Sequence, residues 1–94
     1  MDTSSITPTP TQLRALTHPV RLRILGILRT EGSTTATALA QRLGLNTGAT
    51  SYHLRQLAQH GFIVDDEERG NARERWWRAA HASTRTDVEK LTEP

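Results

Sequence analysis

A single residue separates two helical stretches in the middle of this chain, and this short break constrains the fold more than any other feature. Gly44 ends the first stretch and Asn46 begins the second, which leaves only Leu45 between them. Glycine commonly follows the last residue of a helix, and asparagine is a favourable N-cap. Two helices joined this tightly cannot lie antiparallel in a bundle and must cross steeply, which predicts a helix-turn-helix.

The helix before the break follows a threonine cap, and the helix after it has two distinct sides. Thr34 or Thr35 is expected to cap this third helix, and the fourth is expected to run from Asn46 to Gly61. At about 100° per residue, one side of the fourth helix collects the residues that should pack inward: Thr50, Leu54, Leu57 and Ala58. His53 projects near the edge of that side and is expected to be half-buried.

Two further helices are predicted upstream. Residues Thr9 to Gln12 supply an N-cap, a first-turn proline and a capping-box glutamine for a first helix that should end near Thr17. Pro19 can open a second helix, because its fixed backbone angle suits a first turn, and Gly32 should close it. Two arginines are expected on the outside of this second helix: Arg21 and Arg29.

After Gly61 the sequence changes from helical to strand-like. Residues 62–64 and 75–78 are rich in β-branched and aromatic side chains, and a charged connection separates them. Within that connection, Gly70 and Asn71 suit a tight reversal of the chain. We therefore predict a β-hairpin with a charged tip.

Two neighbouring tryptophans lie on the second strand of this hairpin. Strand alternation should send one of Trp76 and Trp77 into the core and the other to the opposite face. The second side chain could cover a dimer partner or the remainder of a longer protein. Four helices followed by a hairpin predict a mainly α fold with a β-hairpin wing, a winged helix-turn-helix.

The sequence divides into three parts. Residues 1–9 are rich in threonine, serine and proline and are expected to form a flexible N-terminal segment. Residues 10–80 form the predicted winged helix-turn-helix domain, and residues 81–94 form a C-terminal tail or short dimerisation helix. Four apolar residues near the two ends have little else to cover them and predict a homodimer: Leu13, Leu16, Val88 and Leu91.

Composition excludes several classes of protein. The chain has no cysteine, which removes disulfides and thiolate metal sites. Since it has neither an apolar run near the ~20 residues of a membrane span nor a signal-peptide core, we expect a soluble, cytoplasmic protein without a membrane partner. Eleven of its twelve basic residues are arginine, whose planar fork suits phosphates and guanine edges, although arginine-favouring codons would give the same bias.

The fourth helix and the hairpin are the predicted DNA-binding elements, because in a winged helix one helix enters the major groove and the hairpin touches the flanking backbone. The outer side of the helix is small and polar near its start, which allows a close approach to base edges. Its exposed positions are Thr47, Gly48, Ser51, Tyr52, Arg55 and Gln59. On the hairpin, the residues expected to reach phosphates or an adjacent minor groove are Arg69, Asn71, Arg73 and Arg75.

Charge is distributed unevenly along the chain. Residues 14–46 hold five arginines against one glutamate, a net charge of +4, whereas residues 47–80 hold five arginines against five acids. The acidic residues 65–68 leave two interpretations of the hairpin open. Either they splay away from the duplex and repel wrong registers, or the hairpin is an ordinary ion-paired one that never contacts DNA.

Four stretches of the chain are similar to one known family, and they occur in the order and at the spacing of that family: Leu13–Leu25, Leu39–Leu45, Ser51–Leu57 and Gly61–Ile63. From Leu13 to Ala80 the sequence resembles the ArsR/SmtB family of bacterial repressors. The resemblance implies a homodimeric winged helix that blocks transcription at an inverted repeat in double-stranded DNA and is released by a small-molecule or protein effector. The base-reading positions that it implies are Thr47, Gly48, Ala49, Ser51 and Tyr52.

The sequence departs from that family in two respects. Many relatives sense metal through cysteines or through paired carboxylate and histidine ligands on the last helix. This chain has no cysteine, and its tail offers His81, Asp87 and Glu89 without a second histidine at metal-binding spacing, so neither a metal nor another cofactor is expected. The tail is also short for a dimerising helix, which suggests an N-terminal module of a longer regulator, similar to actinobacterial proteins with an added C-terminal part.

Two other functional classes compete with sequence-specific DNA binding. A winged helix can serve instead as a protein-interaction or dimerisation module, and the neutral net charge of residues 47–80 supports that alternative. An enzyme is not expected, because no histidine is spaced to pair with a nucleophile or a carboxylate and no glycine-rich phosphate loop is present. The four histidines considered are His18, His53, His60 and His81.

Overall fold

A computed structural model of the chain describes residues 4–69 and 74–85 and contains four helices and five short strands. The helices are α1 (Pro10–Leu16), α2 (Pro19–Glu31), α3 (Ala36–Leu43) and α4 (Thr47–Gln59). The strands are β1 (Ser5–Ile6), β2 (Thr34–Thr35), β3 (Ile63–Asp65), β4 (Trp76–Ala79) and β5 (Ser83–Thr84). In the described residues, no helix is both long enough and apolar enough to cross a membrane.

Side-chain capping interactions begin α1, α3 and α4 where the sequence predicts, and α2 begins at Pro19. Thr9 and Gln12 form a reciprocal capping box at α1, with hydrogen bonds of 2.9 and 3.2 Å between each backbone N–H and the other side chain. Of the two candidate threonines, Thr35 caps α3, because its hydroxyl accepts the Ala38 N–H at 3.2 Å. Gly44 ends α3 in the left-handed conformation, with φ of 68°, which glycine adopts without steric cost.

A three-stranded antiparallel sheet, in the order β2-β4-β3, packs against the helices. The hairpin pairs Ile63 with Ala79 and Val64 with Arg78, which confirms the predicted wing. Strand β2 pairs Thr34 with Trp77 on the other edge of β4. The sequence did not predict β2, because two residues are too few to show the two-residue period of a strand.

The hydrophobic core lies where α2, α3, α4 and the sheet meet. Its fully buried members come from every one of these elements: Ile24, Leu39, Leu54, Leu57, Phe62 and Ile63. Trp77 joins this core and is only 6% exposed, whereas Trp76 is half-buried. The predicted alternation of the two tryptophans is therefore confirmed.

Both ends of the described chain differ from the sequence prediction. Ser5 and Ile6 form a parallel pair of strands with Ser83 and Thr84, which the sequence did not predict, and the flexibility of segment 1–9 stays a prediction. Arg29, which was expected on the outside of its helix, lies partly buried beneath this pair. Its guanidinium donates to the His81 carbonyl at 2.9 Å and to the Thr84 hydroxyl at 2.7 Å, and burial lowers its pKa.

The structure describes two of the four predicted dimerisation residues, Leu13 and Leu16. Leu16 was expected to lack cover, but it is 6% exposed, because it packs into the core of its own chain. Leu13, one turn earlier on α1, is 37% exposed. Val88 and Leu91 lie outside the described residues, so their predicted role stays a prediction.

Candidate DNA-binding surface

Helix α4 presents one buried and one exposed side, as its sequence predicts. Thr50, Leu54 and Leu57 are fully buried, and Ala58 is half-buried beside them. The predicted DNA-binding residues lie on the other side: Thr47, Gly48, Tyr52 and Arg55 are exposed, and Ala49 and Ser51 are half-buried. Gln59, predicted to lie on this outer side, is exposed as well. A continuous strip along α4 is thus free to meet another molecule.

The first turn of α4 is held in place by two side-chain hydrogen bonds. The Asn46 side chain accepts the Ala49 N–H at 2.7 Å, which completes the predicted N-cap. The Thr50 hydroxyl is completely buried and donates to the Ala36 carbonyl at 2.9 Å. Because Ala36 is the first residue of α3, this second bond ties the two helices of the helix-turn-helix together. The periodicity predicted that Thr50 is buried, but it gave no sign of its partner 14 residues away.

We expect Thr50→Val to destabilise the domain by about 0.5–1.5 kcal/mol, because valine fills nearly the same volume but cannot donate the buried hydrogen bond to the Ala36 carbonyl. Urea denaturation monitored by circular dichroism measures the change. Thr50→Ser is the matched control, since it keeps the hydroxyl and loses only a methyl group. If the valine variant were as stable as the unmodified chain, the hydrogen bond would not be what joins α3 to α4.

The wing is ion-paired at its base. The Arg75 guanidinium bonds both carboxylate oxygens of Asp65, with Nη2 at 2.6 Å from Oδ2, and it lies 4.5 Å from the centre of the Trp77 ring. The hydrogen bond from Arg75 holds the pKa of the Asp65 carboxyl below its ordinary value. The next residue, Asp66, accepts a hydrogen bond from the Ser33 hydroxyl. Asp65 and Asp66 are therefore each bound by a side chain of the same domain, and contact between the wing and DNA stays a prediction.

An open groove of about 240 Å³ runs between α4 and the wing. Ser51 and Arg55 line it from the helix and Arg75 lines it from the wing, so three of the predicted DNA-binding residues meet at one place. Arg69 lies further along the wing, with its guanidinium 5.7 Å from the centre of the Trp76 ring. Asn71 and Arg73 fall outside the described residues, and their role stays a prediction.

Sequence reasoning missed a second group of residues beside the exposed side of α4. Arg21, expected on the outside of α2, is partly buried and donates from Nε to Nδ1 of His53 at 3.1 Å. Its guanidinium carbon lies 5.7 Å from the centre of the Tyr52 ring. His53 is half-buried, as predicted. Since Arg21 and His53 are 32 residues apart, no local pattern in the sequence could have indicated their contact.

The described residues contain no group of three or more histidine, aspartate or glutamate side chains placed to hold a metal ion. The tail residues Asp87 and Glu89, considered above as ligands, lie beyond the described part of the chain. The predicted DNA-binding residues carry arginine, hydroxyl and amide groups, which form hydrogen bonds and ion pairs with phosphates and base edges.

The middle of the sequence matches known proteins. A family model described as a helix-turn-helix domain matches residues 16–66. The HTH-type transcriptional regulator YgaV of Escherichia coli (strain K12) is 41% identical over 51 residues, which make up 54% of this chain and 52% of YgaV. The chain thus spans about half the length of this curated relative.

Solved structures share the fold. The homodimeric winged helix-turn-helix DNA-binding domain (fragment 1–100) of Mb0332 from Mycobacterium bovis, a possible ArsR-family transcriptional regulator, has a TM-score of 0.66 and 28% identity, over 85% of this chain and 67% of that one. The transcriptional repressor BigR from Xylella fastidiosa has a TM-score of 0.64 and 30% identity, over 76% of this chain and 68% of that one. The predicted winged helix-turn-helix fold is confirmed.

Proposed function

Because the chain belongs to the helix-turn-helix domain family, with ArsR-type winged-helix proteins among its structural neighbours, we propose that it is a sequence-specific DNA-binding transcriptional regulator. It acts as a dimeric repressor at an inverted repeat and is released by a small-molecule or protein effector. The named relatives support this proposal, since YgaV is a transcriptional regulator and BigR is a transcriptional repressor. Its place of action is the bacterial cytoplasm, where the chromosome lies.

The observation that carries the proposal is the groove shared by α4 and the wing. Arg55 projects into it from the helix and Arg75 from the wing, with the small hydroxyl of Ser51 between the two elements. A helix in the major groove and a wing on the flanking backbone contact the duplex through arginine, hydroxyl and backbone N–H groups, and Arg75 would exchange Asp65 for a phosphate. Arginine can bond a guanine edge through two parallel hydrogen bonds or can pair with a phosphate.

A homodimer is the proposed assembly, with Leu13, Val88 and Leu91 at the contact between copies. The exposed Leu13 on α1 supports this assembly. The homodimeric state of the Mycobacterium bovis domain supports it as well. In a dimer, the two α4 helices would meet two half-sites about one helical turn apart.

The alternative, a protein-interaction module that does not read DNA sequence, is less well supported. Its main support was the neutral net charge of residues 47–80, but pairing of Asp65 with Arg75 accounts for one acid of the wing without covering α4. Arg55 stays exposed on the outer side of the helix. Glu74 lines the same groove as Arg55, so DNA binding is favoured by the exposed side of α4 and by the named relatives.

The test is selection of bound duplexes from a randomised library at near-physiological salt, followed by sequencing of the pool. We expect enrichment of an inverted repeat with half-sites about one helical turn, or 10–10.5 base pairs, apart. Enrichment of one unrepeated site would contradict the dimer but leave sequence recognition in place. A pool without any enriched sequence would favour the protein-interaction module.

A further inference from the structure

Four side chains from two helices form one cluster at the edge of the exposed strip of α4. His18 precedes α2, Arg21 lies in its first turn, and Tyr52 and His53 are neighbours on α4. The rings of His18 and His53 are tilted against each other with 4.5 Å between their centres, and the Tyr52 ring meets His53 edge-on at 5.7 Å. Tyr52 is half exposed and is one of the predicted base-reading residues.

The hydrogen bond within this cluster exists in only one protonation state of His53. Arg21 donates from Nε, and a guanidinium does not lose its proton in a protein, so Nδ1 of His53 must be an acceptor. A protonated imidazole has a donor at that nitrogen, which would face another donor and a second positive charge. Protonation of His53 therefore breaks the bond and repels Arg21.

Arg21 has a second anchor that defines its position. It donates from Nη1 to the Ala15 carbonyl of α1 at 3.3 Å, and the rest of its guanidinium lies 5.7 Å from the centre of the Tyr52 ring. Cations near an aromatic face attract the ring. Neutral His53 thus holds Arg21 where it contacts Tyr52, and through this contact α1 and α2 influence a side chain on the proposed DNA-binding strip.

We propose that His53 is a positioning residue of the DNA-binding surface: neutral His53 holds Arg21 against Tyr52, and protonation of His53 releases Tyr52 and lowers discrimination between DNA sequences. This inference rests on the DNA-binding function proposed above. Discrimination is the quantity affected, because an added positive charge attracts every duplex alike, whereas a correctly placed Tyr52 favours only the matching one.

The surroundings of His53 fix the direction of the pH dependence. Burial, and then the charges of His18 and Arg21, lower the pKa of His53 below its ordinary value of 6.5. The groups that face it are His18 at the start of α2, Arg21 within α2 and Tyr52 on its own helix. Since the native state disfavours the charged form, the cluster stays intact at pH 6.5 and is lost only as the pH falls through the lowered pKa of His53.

The test measures the affinity of the 94-residue chain for the duplex enriched in the selection and for a scrambled duplex of equal composition, at pH 7.5 and at a pH below the midpoint of the His53 titration measured by NMR. We expect the ratio of the two affinities to fall by about five- to tenfold for the unmodified chain, which corresponds to the loss of one hydrogen-bonded contact. His53→Asn places an amide oxygen where Nδ1 stood and does not titrate, so its ratio should stay high at both pH values. His53→Leu should show the low ratio at both.

His60→Asn is the matched control, because His60 lies at the end of the same helix but outside the cluster, and this variant should keep the pH response of the unmodified chain. A response that survived in His53→Asn, or a ratio that did not change with pH in the unmodified chain, would overturn the inference. The selection itself reports separately on the proposed function, since it needs only binding at neutral pH.

A second measurement needs no DNA. In NMR spectra recorded between pH 5 and 8, the ring resonances of Tyr52 should shift with the same midpoint as those of His53, and they should stop shifting in His53→Asn. If the Tyr52 resonances did not shift as His53 titrates, the proposed coupling between His53 and Tyr52 would be refuted, even if the selection enriched no duplex.

Discussion

Replacing Arg55 by alanine is expected to weaken binding to the enriched operator by about 1–3 kcal/mol for each substituted copy, and by about 2–6 kcal/mol in a dimer that presents the position twice. Arg55 is exposed on the outer side of α4 and lines the groove between this helix and the wing. Alanine removes the whole guanidinium while keeping a residue that favours the helix. Fluorescence anisotropy with labelled duplexes at several salt concentrations measures the loss.

The salt series also distinguishes a contact of Arg55 with a phosphate from a contact with a base edge. If it pairs with a phosphate, Arg55→Ala should weaken binding to all sequences and reduce the slope of log affinity against log salt by about one per contact. If it bonds a guanine edge, the slope should persist while the preference at one base pair of each half-site relaxes.

Arg42→Ala is the control for Arg55→Ala. Arg42 is also a helical arginine about half exposed, but its guanidinium pairs with Glu31, the last residue of α2. An exposed ion pair of this kind contributes little to stability, and we expect operator affinity to change by less than about twofold. Equal losses in the two variants would mean that general charge, and not the groove of α4, determines binding.

Phe62→Ala is expected to lower the free energy of unfolding by about 3–5 kcal/mol, a large part of the roughly 5–15 kcal/mol that stabilises a domain of this size. The ring is fully buried. Its backbone is held on both sides, since the N–H donates to the Leu57 carbonyl and the carbonyl accepts the Ala80 N–H, each at 2.9 Å. The chain around the missing ring therefore cannot collapse easily, and a cavity remains between the end of α4 and the wing.

Urea denaturation measures this effect, and Val64→Ala provides the control. Val64 lies on β3, two residues along the chain, but is 37% exposed. Its loss should change stability by no more than about 0.5 kcal/mol. A small effect of Phe62→Ala, similar to that of Val64→Ala, would show that the wing does not depend on the core for its position.

The sequence by itself determined the helices, because their ends depend on contacts between residues three or four positions apart. The capping box of Thr9 and Gln12 and the cap of Asn46 on Ala49 are both of this kind. The single residue between Gly44 and Asn46 then required the steep crossing of α3 and α4. The exposed strip of α4 followed from the helical period alone, since it is the side opposite Leu54 and Leu57.

Only the tertiary structure decided which residues far apart in the chain meet. It paired Thr34 with Trp77, buried Leu16 in its own core, and held Arg29 beneath the strand pair. It also brought Arg21 to His53. The physical reason is the same in each case, because these contacts depend on how the elements pack against each other. A periodicity of two or 3.6 residues indicates which face of an element is buried but not which distant residue lies opposite.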